Sequence, residues 1–96
     1  MKLASNTHVS ISIVGDDEMR KLNKEHLGRD YATDVLSFNV EEQTEQGFYL
    51  GDIVVNKDQA ERQAMEFDNS LEEEIAELVA HGMLHLMGMH HEGDEH

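Results

Sequence analysis

The stretch His81-Gly82-Met83-Leu84-His85-Leu86-Met87-Gly88-Met89-His90-His91 reads HxxxHxxGxxH, and the rest of the chain is organised around it. Histidines four positions apart project from one face of an α-helix, a turn from each other. That separation suits two ligands on a single metal ion. Gly88 is where such a helix can stop, because glycine enters the left-handed conformation without steric cost. The chain can then turn back and bring His91 to the same ion. Three neutral imidazoles without a thiolate leave one coordination position open for water or substrate, the layout of a catalytic zinc site rather than a closed structural one. The alternative is a His-rich tail that binds metal without purpose. The glycine set between the second and third histidines argues against it.

Upstream, Ser70-Leu71-Glu72-Glu73 matches a capping box that would start this helix. Leu71, Ile75, Leu78, Val79, Met83, Leu86 and Met87 then recur at helical spacing. The first half of the helix is acidic and expected to face outward. The second half is apolar almost all round apart from its histidines and should run into the core, its methionines serving as packing. Asn56 or Asp58 would cap an earlier helix with Ala60, Gln63, Ala64 and Phe67 on its inner side. Residues 33–40 and 48–55 are β-branched and aromatic, and the polar run 41–47 between them suggests a hairpin. Val9, Ile11 and Ile13 alternate with His8, Ser10 and Ser12 as a half-buried strand. After Gly15, Asp16 is placed to cap a helix whose apolar stripe is Met19, Leu22 and either His26 or Leu27, ended by Gly28.

The 96 residues fit one domain, residues 1–96, with a modest core. The net charge of -14 adds self-repulsion. A dication among the histidines would relieve part of it and couple metal binding to folding. Without cysteine, disulfides and thiolate sites are excluded, in keeping with a cytoplasmic protein. The first residues lack the apolar run of a secretion signal, and no stretch is long enough to span a membrane. Such acidity argues against bulk nucleic-acid binding, which needs a basic footprint. Arg20, Lys21, Lys24 and Arg29 do fall close together, which read plainly is a solvated helix face.

An open zinc site lowers the pKa of bound water and polarises a carbonyl or phosphoryl oxygen, so hydrolysis is the natural reaction class. The histidine spacing is similar to that of the metzincin proteases, HExxHxxGxxH. Gly82, however, stands where those proteases carry the glutamate that acts as general base. That departure counts against peptide hydrolysis. Phosphodiester cleavage can lean more on the metal and on charge stabilisation.

HGMLHLMGMHH, residues 81–91, resembles the signature H-G-x-L-H-L-x-G-Y-D-H of the bacterial YbeY family. Leu22-Asn23 followed by Gly28-Arg29-Asp30-Tyr31-Ala32-Thr33-Asp34-Val35-Leu36-Ser37-Phe38 resembles that family's LN…GxDYxTDVLSF block. Gly51-Asp52-Ile53-Val54-Val55 resembles its GDI strand, and Gln63-Ala64 with Ser70, Glu74 and Leu78 its helical approach to the histidines. The resemblance implies a metal-dependent endoribonuclease specific for single strands, acting in 16S rRNA 3′-end maturation and ribosome quality control. It implies an α+β, two-layer fold: a small mixed sheet of three to four strands packed on helices, with a central zinc-binding helix as in zincins. It implies zinc held by His81, His85 and His91, one ion per chain, with Thr33, Asp34 and Ser37 in the cleft beside it. Nickel or another divalent metal also suits imidazole. Ribosomal RNA, the ribosome or its proteins and a GTPase would be the partners.

The chain departs from the family pattern at several positions. Leu27 replaces an arginine that faces the cleft, which leaves Arg29 as the candidate to reach substrate. Met89 and His90 replace a tyrosine and an aspartate; His90 is open to three roles, as support behind the ligands, as a competing ligand or as an exposed residue. Asn39 replaces a proline. The chain is also shorter than the family norm at both ends, by an initial helix and strand and by the segment after the histidines. An edge strand left without its neighbour would invite self-association. Two other functions stand beside the nuclease. One is a small zinc hydrolase of a different substrate, which would gain if Glu74 or Glu77 pointed into the cleft. The other is a metal-binding module that docks on the ribosome or a GTPase without chemistry.

Overall fold

A strand that is apolar on both faces needs a cover on each side. Residues Leu50, Ile53, Val54 and Val55 make one such strand, and all four are buried. In the computed structural model, which describes residues 6–88, this strand is the centre of a three-stranded sheet. The elements run β1 (Thr7–Val14), α1 (Asp16–Leu27), β2 (Val35–Thr44), β3 (Gly47–Asn56), α2 (Lys57–Phe67) and α3 (Leu71–Leu86). The sheet order is β1-β3-β2, with β1 parallel and β2 antiparallel to β3, so the sheet is mixed. The fold is therefore a small α+β one with three strands and three helices among the described residues.

Alternation along β3 sends its side chains to two separate cores. Ile53 and Val55 join Val35, Ala60, Leu78 and Leu86 beneath α2 and α3. Val54 joins Leu36 and Met19 beneath α1. The hairpin expected from the polar run is present but tighter. β2 continues to Thr44 and β3 begins at Gly47, and the ladder slips between Asn39 and Glu42, where Glu41 takes a φ of 54°.

Three expectations are corrected. Gly15, not Asp16, is the N-cap of α1; the Asp16 N–H is the first to need a partner, and the Asp58 carboxylate accepts from it at 2.9 Å. Ile11 and Ile13 are 49 % and 53 % exposed rather than half-buried, because β1 is the sheet's edge and neither joins the core clusters that take Val9 and Val14. Phe67 is 62 % exposed, since it is the last residue of α2 and has turned past the inner side held by Ala60 and Ala64.

Asp16 fastens the starts of α1 and α2 together. Its carboxylate accepts from the Asn56 amide at 2.7 Å and from two nitrogens of Arg62 at 2.9 and 3.0 Å. The hydrogen bond from Arg62, then that from Asn56, holds the Asp16 carboxyl below its ordinary range. A depressed folded-state pKa adds stability above the unfolded value, about 3.9, and the gain is lost as pH falls through the folded value. Thermal unfolding followed between about pH 6 and pH 3 should therefore show wild type above Asp16→Asn at the high end and the two converging below about pH 4. A constant separation across that range would contradict the role given to the Asp16 charge.

Candidate metal centre and adjoining cavity

The helix that carries the histidines begins as its sequence demands. The Ser70 hydroxyl accepts from the Glu73 N–H at 3.1 Å, and the Glu73 carboxylate accepts from the Ser70 N–H at 2.9 Å. This closes the capping box, and hydrogen bonding from the Ser70 backbone N–H, then from its side chain, holds the Glu73 carboxyl below its usual range. One glutamate departs from the outward-facing expectation. Glu74 is only 5 % exposed, and its carboxylate accepts from the Asn69 amide at 3.1 Å.

Gly82 sets how closely α3 approaches the sheet. A Cβ built there would lie 2.9 Å from Cγ2 of Ile53 and 3.3 Å from Oγ of Ser37. The glycine where a protease would carry its base thus faces packed core, not the histidine face. Ser37 and Asn39 on β2 then tie the helix down. The Ser37 hydroxyl donates to the Gly82 carbonyl at 3.3 Å, and the Asn39 amide donates to the Leu86 carbonyl at 2.9 Å. Asn39 so satisfies a carbonyl in the last turn, which a proline could not do. Asn39→Ala should lower stability by about 1 kcal/mol by releasing that carbonyl, read from denaturant unfolding. A change below a few tenths would show that water replaces the amide without cost.

Held this way, α3 brings His81 and His85 together. Their Nε2 atoms are 3.1 Å apart, with ring centroids at 4.7 Å and planes at 61°. His85 is 4 % exposed and His81 half-buried. Two imidazole nitrogens on one tetrahedral zinc, each about 2.0–2.1 Å from it, would stand ~3.3–3.4 Å apart. The pair therefore fits two positions of one ion with a shift of a few tenths of an ångström. His90 and His91 lie outside the described residues, and among the described residues no group of three ligating side chains gathers. Gly88 takes a φ of 78°, the left-handed turn expected after the helix.

Beside His81 opens a cavity whose lining includes Asp34, Gln63, Phe67, Asn69, Glu74 and Glu77. A smaller cleft lined by Ala32, Thr33, Asp34, Gln59 and Gln63 adjoins it, sharing Asp34 and Gln63. Asp34 accepts weakly from the Thr33 hydroxyl and the Gln63 amide, both at 3.5 Å. Of the residues expected in the cleft, Thr33 and Asp34 line it, whereas Ser37 lies under α3 with its hydroxyl on Gly82. Arg29 is half-buried in the connection from α1 to β2, its N–H on the Asn23 carbonyl at 3.3 Å. Leu27 is 37 % exposed at the end of α1. Gln63, Phe67 and Asn69 were legible only as packing or helix-ending residues. Their shared cavity exists because α2 ends beside the start of α3, a tertiary fact that no local pattern carries.

A model of the family described as Endoribonuclease YbeY matches residues 1–96. The chain is 47 % identical over 88 residues to a protein named Endoribonuclease YbeY from Aquifex aeolicus, covering 92 % of this chain and 59 % of that protein. It is 42 % identical over 107 residues to one of the same name from a Thermoanaerobacter species, covering 98 % of this chain and 67 % of that one. Among solved structures, the solution structure of a Thermotoga maritima protein is similar at a TM-score of 0.62 and 39 % identity, covering 93 % of this chain and 57 % of that one. The chain thus spans between 57 % and 67 % of the length of these proteins.

Proposed function

The chain belongs to the endoribonuclease YbeY family, and from that premise we propose that it is a metal-dependent endoribonuclease that cuts single-stranded RNA. The observation that carries this reading is the His81–His85 pair, Nε2 to Nε2 at 3.1 Å, at the wall of an open cavity. His81 and His85 would hold zinc together with His91, and the three roles open to His90 stand as the sequence left them. Zinc bound there would supply Lewis-acid stabilisation of the phosphoryl oxygen and a water of lowered pKa.

The protein's own groups divide the remaining work. Glu77 is one turn before His81 on the same helical face and lines the cavity, so it is placed to accept a proton from the attacking oxygen. Asp34 and Thr33 shape the adjoining cleft. Ser37 and Asn39 fix the helix that presents the histidines. Arg29 is the cationic candidate for the RNA backbone in place of the arginine that Leu27 replaces. With a net charge of -14 the chain has no broad basic footprint for a duplex, which favours a short, flexible substrate segment.

Following the family resemblance, we place the substrate in ribosomal RNA, at the 3′ end of 16S rRNA, in the cytoplasm, with ribosomal proteins and a GTPase as partners. No helix among the described residues is long and apolar enough to cross a membrane. Self-association is expected through β1, whose outer edge pairs with no strand among the described residues and exposes Ile11 and Ile13. Sedimentation should show a concentration-dependent dimer that Ile11→Lys shifts to monomer; a wild-type monomer at millimolar concentration would contradict it.

A second enzymatic reading, a zinc hydrolase of another substrate, draws support from Glu74 and Glu77 lining the cavity beside His81. The non-catalytic module draws on the replacement of the family's arginine by Leu27. Cleavage of one RNA sequence as single strand and as duplex, with and without chelator, separates the three. The nuclease reading expects cutting of the single strand alone, lost on chelation and restored by zinc. Chelator-resistant cutting, or none with zinc bound, would overturn it.

A further inference from the structure

We propose that the cavity beside His81 seats an unpaired nucleobase bearing an exocyclic amino group, with cytosine as the simplest case, stacked on Phe67 and read by Gln63, Asn69 and Asp34. This names the substrate contact of the site already described and rests on the nuclease reading for its claim that the ligand is RNA.

Phe67 is the first ground. A phenylalanine that is 62 % exposed at a cavity rim leaves a large apolar ring in water, and it contributes little to either core. An exposed ring beside a cleft is the usual platform for an unstacked base. The second ground is the pair of side-chain amides. Gln63 and Asn69 each bring a side-chain amide with a carbonyl acceptor and N–H donors, of which Asn69 commits one to Glu74, and the rest match the Watson–Crick edge of a base. Gln63 is held to Asp34 only at 3.5 Å, a contact weak enough for a base to displace.

Charge then selects the ligand. No lysine or arginine lines the cavity, while Asp34, Glu74 and Glu77 bring carboxylates to it, so away from the metal a neutral base is favoured over a phosphate. A carboxylate acceptor suits the N4 amino group of cytosine and opposes the O4 carbonyl of uracil. Seating a base by this edge also requires that it be unpaired. Preference for single strands therefore arises in the cavity itself, without a basic groove, in a chain of net charge -14.

The test is binding of 2′-O-methyl hexacytidylate and hexauridylate to the full zinc-loaded chain, followed by fluorescence anisotropy. The expected result is about tenfold tighter binding of the cytidylate. Phe67→Ala should weaken both by about tenfold without loss of folding, since the ring is mostly in solvent. Asp34→Asn should erase the preference, by weakening cytidylate binding and by relieving the repulsion of the uracil O4. Equal affinity for the two oligomers, no binding of either, or an unaffected Phe67→Ala would overturn the proposal. Cleavage of the unmodified oligomers, measured in parallel, keeps the two claims apart. Selective binding without cutting sinks the nuclease and upholds the base seat, and cutting without selectivity does the reverse.

Discussion

His85→Ala is expected to remove both the metal and the activity. The imidazole is 4 % exposed and sits 3.1 Å from that of His81, so its loss takes away half of the described ligand pair and opens a hole beneath the helix. Loss of a ligand should lower cleavage by at least about 100-fold, since even groups that merely orient a ligand are worth 10–100-fold. The metal-free protein should also lose about 1–3 kcal/mol, the usual range for deleting a buried, partnered polar side chain. The zinc-loaded protein should lose more, because the ion stabilises only the folded state. The control is His8→Ala, an exposed histidine on β1 stacked on Tyr49, which should change neither property. Unchanged cleavage in His85→Ala would remove the metal from the mechanism.

Gly82→Glu should unfold the protein rather than install a protease base. The HxxxH spacing invites that substitution, since it restores the protease pattern HExxH. The structure sends the new side chain into Ile53 and Ser37, with Cγ2 of Ile53 only 2.9 Å from where its Cβ would stand. Burying a carboxylate there without a partner costs several kcal/mol, comparable with the whole stability of a domain this small. Gly82→Ala separates packing from charge. It gains up to about 1 kcal/mol of helix propensity and loses about 1–3 kcal/mol to overpacking, for a net loss of about 1 kcal/mol. Circular dichroism with thermal unfolding checks both variants. A folded Gly82→Glu with peptidase activity would show that the glycine faces the metal after all.

Local patterns carried much of this architecture. The capping box at Ser70 and Glu73, the Asn56 cap of α2 and the hairpin all follow from neighbours within a few residues. So does the His81–His85 pair, because helical geometry alone fixes an i, i+4 contact. What local pattern could not carry is what distant segments do to one another. Whether Ile11 and Ile13 are covered depends on which strand lies at the sheet's edge. Whether Glu74 is buried depends on Asn69 folding back beside it. Asp16 looked like a cap because aspartate before an acidic turn usually is one; Gly15 holds the cap position, and Asp58, 42 residues away, accepts from the Asp16 N–H. The cavity follows the same rule, assembled from the start of β2, the end of α2 and the first turns of α3.

The most direct test is zinc content, by elemental analysis of tag-free wild type and His85→Ala, with single-strand RNA cleavage assayed on the same samples. One zinc per wild-type chain, next to none in His85→Ala, and cleavage that follows the zinc is the predicted result. Equal zinc in both proteins, or cleavage that persists without it, would contradict the assignment of His81 and His85 as the core of a catalytic metal site.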